Sequence, residues 1–156
     1  FTIPNALDER LLVPRPVELP PSTDRRLVIG YMGTQTHDTD LRLLVPAFHS
    51  LYAKHKEEIC FEIAGVTSTP ETLALLKNLP VRRISPDPRE SEYPLFILWF
   101  TGQVHWDIAL APLHDTIFTR AKSDIKYLDY AAIAAAARIK PAEKIDCFQV
   151  THHSVN

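Results

Sequence analysis

From residue 27 onward the chain alternates between short apolar runs and longer stretches whose apolar positions recur every three or four residues. The runs at 27–31, 59–64, 81–84 and 106–112 have strand length, and the near-continuous apolar character of 27–31 suits a strand buried on both faces. Between them lies a helix predicted over 38–54, with Leu41, Leu44, Val45, Phe48, Leu51 and Tyr52 along one face. Asp38 or Thr39 is its expected cap, and Pro46 predicts a kink. A second helix is expected over 70–78, with Thr69 as cap and Pro70 in the first helical position. A third is expected over 92–101, and a fourth over 123–138, where alanines favour helix. A fifth strand is predicted at 145–150. Strands alternating with helices imply right-handed crossovers and a parallel sheet, so the expected fold is α/β, a Rossmann-like sheet flanked by helices.

Residues 1–26 break this pattern. Pro4, Pro14, Pro16, Pro20 and Pro21 remove backbone donors and fix φ, which predicts a linker leading into a domain over 27–140. Residues 141–156 read as a tail. The opening Phe1-Thr2-Ile3-Pro4-Asn5 has no signal-peptide layout and reads as a segment that begins within a longer protein.

At 156 residues the chain fits one domain, and 46% hydrophobic with 23% charged residues is ordinary for a globular protein. A formal net charge of -2 gives no electrostatic footprint for nucleic acid. No apolar stretch reaches the ~20 residues that span a membrane. Cys60 and Cys147 do not make a disulfide framework, which points to a reducing, cytoplasmic setting, and Cys60 is expected in the core.

Ligands of open α/β sheets bind beyond the carboxyl ends of the strands, so the loops after the first and fourth strands hold the candidate chemistry. The first is Gly30-Tyr31-Met32-Gly33-Thr34-Gln35-Thr36-His37-Asp38. Glycine admits close backbone approach, and a helix start offers N–H groups to an anion; the alternative is a tight strand-to-helix turn, since the spacing is not a full G-x-G-x-x-G. His37 can meet a phosphate or a sugar hydroxyl from this loop, or make a local polar contact. In the second region Arg120, Lys122 and Lys126 place cations near a helix start, which suits a diphosphate. Asp129 can accept from ribose hydroxyls. The alternative is a solvated helix with Lys122–Asp124 and Lys126–Asp129 pairs. His114 and Asp115 sit at the same mouth, where a structural role competes with sugar orientation. Trp99, Phe100 and Trp106 read as packing residues, and His152-His153, without suitably spaced partners, do not make a metal site.

Taken in order, Ile29-Gly30-Tyr31-Met32-Gly33-Thr34, His37-Asp38-x-Asp40-Leu41, Trp106-Asp107-Ile108-Ala109-Leu110-Ala111-Pro112-Leu113 and Lys122-Ser123-Asp124-Ile125-Lys126-Tyr127-Leu128-Asp129-Tyr130-Ala131-Ala132 resemble the C-terminal half of GT-B glycosyltransferases of group 1, the family 4-like retaining enzymes. Ile3-Pro4-Asn5-Ala6-Leu7-Asp8 resembles the segment that leads into that half. The resemblance implies a donor-binding domain for a nucleoside-diphosphate sugar, with no cofactor and no metal. It implies a separate N-terminal acceptor domain, which would also carry any peripheral membrane contact, and no transfer by this half alone. It places Gly33 and Thr34 at the phosphate loop, Lys126 near the diphosphate and Asp129 at the second acidic position of the family's Glu-x7-Glu motif, which holds the ribose. Arg120 and Lys122 join the set on charge grounds. Ala121 stands near the first acidic position, and no Gly-x-Pro turn follows Ala132, so the pattern departs from the family there. The competing readings are a non-catalytic flavodoxin- or receiver-like interaction module and an inactive fragment. A receiver carries clustered acids at the end of its first strand, where Gly30-Tyr31-Met32-Gly33 has none.

Overall fold

A computed structural model describes residues 8–13, 26–65, 69–117 and 125–137. Four parallel strands form one sheet in the order β3-β2-β1-β4, where β1 is Leu27–Met32, β2 Ile59–Ala64, β3 Val81–Ile84 and β4 Ile108–Leu110. Helices α1 (Asp38–His55), α2 (Pro70–Leu76) and α3 (Leu95–Gln103) lie in the crossovers, and α4 (Ile125–Ala137) follows β4. The chain thus adopts the α/β Rossmann-like arrangement that its alternating pattern predicts. It runs outward from β1 to β2 and β3, then returns across the sheet to place β4 on the other side of β1. That reversal leaves a topological switch point at the carboxyl ends of β1 and β4.

Strand alternation divides the apolar side chains into two layers. Ile29, Tyr31, Phe61 and Ile63 face α1, where Leu41, Val45 and Phe48 close the first core; Phe48 and Phe61 stack with centroids 4.1 Å apart. Met32 and Ala64 face Ile97, Phe100 and Val104 of the α3 segment and Tyr130 and Ile133 of α4. Leu11 and Leu12 pack against this second core, and the Val13 N–H donates to Thr101 Oγ1 at 3.2 Å. So residues 8–13 of the proline-rich segment dock on α3.

Several expected boundaries move for identifiable reasons. Residue 92 does not begin α3. Pro94 has no N–H and disfavours helix at Tyr93, so the helix begins at Leu95 with Pro94 as its N-cap. α1 is N-capped by His37 without a side-chain cap bond, rather than by Asp38 or Thr39, and it runs through Pro46. Cys60 is only partly buried. β4 is shorter than expected at both ends. At its start, the Asp107 carboxylate takes the Val28 N–H at 2.7 Å and the Asp107 N–H bonds the Val28 carbonyl at 2.9 Å, so Trp106 is left outside the strand. Its indole lies across Gly30, where an added Cβ would meet Trp106 Cδ2 at 1.8 Å, and Nε1 donates to the buried Glu62 at 3.1 Å. Gly30 is therefore a packing requirement of the sheet.

The other end of β4 stops at a hydroxyl. Tyr130 Oη accepts the Met32 N–H at 3.0 Å and donates to the Leu110 carbonyl at 2.9 Å. This phenol takes the place of the next ladder bond between β1 and β4. The two strands are bridged there by a side chain from α4, at the switch point itself.

The predicted strand at 145–150, the tail at 141–156, His152-His153, residues 1–7 and 14–25, and the stretch with Arg120 and Lys122 lie outside the described residues.

Candidate functional site

The loop after β1 is held by the loop after β2. The Gly33 N–H donates to the Ala64 carbonyl at 3.0 Å, which extends the β1–β2 ladder by one rung. Gly65 has φ 103, and a Cβ there would lie 2.0 Å from the Gly33 carbonyl oxygen. Two glycine backbones therefore meet face to face at the carboxyl rim, an approach that no side chain at residue 65 permits. Thr34 Oγ1 and Thr36 Oγ1 pair at 3.0 Å on the exposed side of this loop.

Tyr31 is the floor of the site. Its ring is buried, and its hydroxyl donates to the His37 carbonyl at 3.1 Å. Burial, with Asp40, Tyr130 and Asp38 nearby, pushes the phenol well above its usual pKa, so it stays protonated. A Cβ on Gly33 would lie 2.9 Å from Tyr31 Cε1, so the loop backbone rests on the ring edge. The Lys126 ammonium lies 4.8 Å from the ring centroid on the other side of the switch point. A cation over an aromatic face is favourable by about 0.5–2 kcal/mol. α4 sits in the layer of Tyr130 and Ile133, whereas Tyr31 belongs to the α1 layer, so Lys126 reaches over the sheet rim between β1 and β4. Gly33, Thr34, His37 and Lys126 are thus brought to one end of the sheet around Tyr31.

The start of α1 carries two buried acids. Asp38 is 8% exposed, and its Oδ2 accepts from Thr69 Oγ1 at 2.8 Å, Thr72 Oγ1 at 2.7 Å and Arg42 Nε at 3.1 Å. Burial alone would raise the Asp38 pKa, but the bonds from Thr72, Thr69 and Arg42 outweigh it and hold the carboxyl below its usual range. This knot ties α1 to the start of α2. Asp40 is 3% exposed and ties the other side: Oδ1 accepts the His114 N–H at 3.0 Å, and Oδ2 lies 2.9 Å from His37 Nδ1. His114 Nε2 reaches the Thr39 carbonyl at 3.1 Å. His114 is therefore a clamp that fastens the loop after β4 onto α1.

Asp129 is buried on α4, and its Oδ1 has no hydrogen-bond partner among the described residues. Burial pushes its carboxyl up to about 6. Its electrostatic neighbours include Tyr93 and Tyr130. No described hydrogen bond joins it to Gly33, Thr34 or His37. Lys126 Nζ is buried as well, so this face of α4 is not the solvated surface that the Lys–Asp spacing also allowed.

Near the rim the described charges include the acids Asp38, Asp40 and Asp129 and the cations Arg42 and Lys126, with Arg42 committed to Asp38 at 2.9 Å. The positive end of the α1 dipole faces carboxylates already in place. Lys126 is the cation that the described residues bring to the crevice. Sequence reasoning missed Tyr31, Tyr130 and the joining role of Asp40. The three-residue spacing of His37 and Asp40 on a helix start was the one readable signal. Among the described residues no cluster of His, Cys, Asp and Glu is arranged to hold a metal ion, and no helix is long and apolar enough to cross a membrane. Compared with known proteins, the chain matches no family model, no curated protein and no solved structure.

Proposed function

We propose that the chain is the donor-binding half of a retaining glycosyltransferase, holding a nucleoside-diphosphate sugar at the switch point. The observation that carries this reading is the convergence on Tyr31: the Gly33 backbone rests on one edge of its ring, and the Lys126 ammonium stands 4.8 Å from its centroid. The diphosphate lies between the Gly33–Thr34 loop and Lys126, with Arg120 and Lys122 as further cations. Fixed donors and cations there stabilise the negative charge that develops on a leaving nucleoside diphosphate. Asp129, whose buried Oδ1 has no hydrogen-bond partner among the described residues, takes a ribose hydroxyl. The acceptor substrate is bound by a second domain that closes the crevice, as the resemblance to the GT-B enzymes implies.

The test is calorimetric titration of the chain with UDP, GDP, ADP and their sugar conjugates. One of these binds, and K126A weakens it about tenfold or more, while the chain stays folded with a urea midpoint lowered by no more than the lost cation–π contact accounts for. No heat from any of them at millimolar concentration, or unchanged affinity in K126A, overturns the reading.

A further inference from the structure

The sheet ends at β3, whose outer edge no described strand covers. In a parallel ladder the backbone groups of alternate residues point to opposite sides. The Phe61 N–H bonds the Pro80 carbonyl at 3.1 Å, and the Gly65 N–H bonds the Ile84 carbonyl at 3.0 Å. Residues 82 and 84 therefore face β2, while Val81 and Arg83 turn their backbone groups outward. The Val81 N–H is taken by the Leu79 carbonyl at 2.8 Å. That leaves the Val81 carbonyl and both backbone groups of Arg83 on the edge.

The side chains of the same two residues lie against α2. With Leu73, Ala74 and Leu76 they line an open groove of about 500 Å³ along the edge. Its charged lining residues are both cations, Lys77 and Arg83. Among the described residues no ion pair engages either of them. Arg82, on the opposite face, pairs with the buried Glu62.

Arginines on an edge strand repel strands that carry cations. A second copy pairing antiparallel about an axis at residue 83 sets Arg83 against the same arginine of that copy, and an axis at residue 82 does so for Arg82. Like charges directly opposite are destabilising, whereas an acidic strand meets attraction at the same positions.

We propose that the β3 edge and the α2 groove dock an extended acidic segment of a partner protein, which adds to the sheet as a further strand. The Val81 carbonyl and the Arg83 N–H and carbonyl supply the ladder. The segment sets an apolar side chain opposite Val81, where it enters the groove, and a carboxylate two residues away, opposite Arg83. The period of two along a strand puts both on the α2 face. This edge lies on the far side of the sheet from β4, so the proposal does not rest on the nucleotide-sugar reading.

The probe is a capped synthetic peptide, valine–threonine–glutamate–threonine–valine, whose pattern is the same in either strand direction. Its control carries lysine in place of glutamate. Each is titrated into the ¹⁵N-labelled chain to millimolar concentration. The glutamate peptide binds saturably and shifts the Val81 and Arg83 amides, and the lysine peptide does not bind. R83E weakens the glutamate peptide about fivefold or more, because an attractive cross-strand pair becomes a repulsive one, and gives the lysine peptide measurable affinity. Arg83 is exposed, so R83E leaves the urea midpoint little changed. N-methylation of the peptide at its threonines, or at its valines and glutamate, abolishes binding in one case only, since its donors point to opposite sides at alternate residues. No binding of the glutamate peptide, equal binding of the lysine peptide, or indifference to both methylations overturns the proposal. So do shifts confined to Gly33, Thr34 and Lys126. Self-association of the chain alone, with the Val81 and Arg83 amides shifting on dilution, gives the edge to a second copy and overturns the acidic partner.

Discussion

Asp129→Asn removes a charge that the fold tolerates at a cost. The carboxyl is buried, its Oδ1 lacks a hydrogen-bond partner among the described residues, and its pKa rises from 3.8 to about 6. Between those two values the folded chain keeps a proton that the unfolded chain has released. Stability therefore falls as pH rises through this window. Each unit is worth 1.36 kcal/mol, so the shift of roughly two units costs about 3 kcal/mol once both states are ionised. Asparagine has nothing to ionise. D129N is thus expected to exceed wild type by about 3 kcal/mol at pH 7, or roughly 10 °C in melting temperature for a chain of this length, and to differ little at pH 4. Urea denaturation followed by tryptophan fluorescence, repeated from pH 4 to 8, reads this directly. Wild type loses stability between pH 4 and 6 beyond any loss seen in D129N. If Asp129 takes a ribose hydroxyl, saturating nucleotide flattens the wild-type profile and has no such effect on D129N. A wild-type stability that rises through the window, or a D129N no more stable at pH 7, refutes the reasoning about this carboxyl.

Other substitutions test the surrounding architecture. G30A places a Cβ 1.8 Å from Trp106 Cδ2 and should destabilise by about 3 kcal/mol in urea; combined with W106L the loss should be less than the sum of the single losses. Y130F leaves the Met32 N–H and the Leu110 carbonyl without their bridge and should cost about 3 kcal/mol, with faster hydrogen exchange at the Met32 amide. G65A meets both a φ of 103 and the Gly33 carbonyl at 2.0 Å, so it should cost about 2–3 kcal/mol and shift the Gly33 and Thr34 amide resonances.

Much of the frame was legible in the hydrophobic pattern. β2 at Ile59–Ala64 falls where its apolar run places it, and β3 at Val81–Ile84 has the expected bounds as well. Thr69 caps α2 through its side chain, as its position before Pro70 implies. The misplaced elements are those governed by partners distant in sequence. β4 is trimmed by a carboxylate that bonds Val28 and by a phenol from α4, neither of which marks an apolar run. α3 starts late because Pro94 outweighs the apolar residues around it. Candidate site residues were readable only as types. The sequence showed a glycine loop, a histidine and a lysine, but not that Tyr31 would gather Gly33 and Lys126 on one ring. Nor did it show that Asp40 would bond both rim loops, since that depends on His114 folding back across the switch point.

The central claim is that the loop after β1 and the start of α4 form one ligand site. Chemical-shift mapping of the ¹⁵N-labelled chain against UDP-glucose and GDP-mannose tests it most directly. The account predicts that a nucleotide sugar perturbs Gly33, Thr34 and His37 together with Lys126, with one shared saturation curve. Shifts confined to residues outside the loop after β1 and α4, or separate curves for Gly33 and Lys126, contradict it.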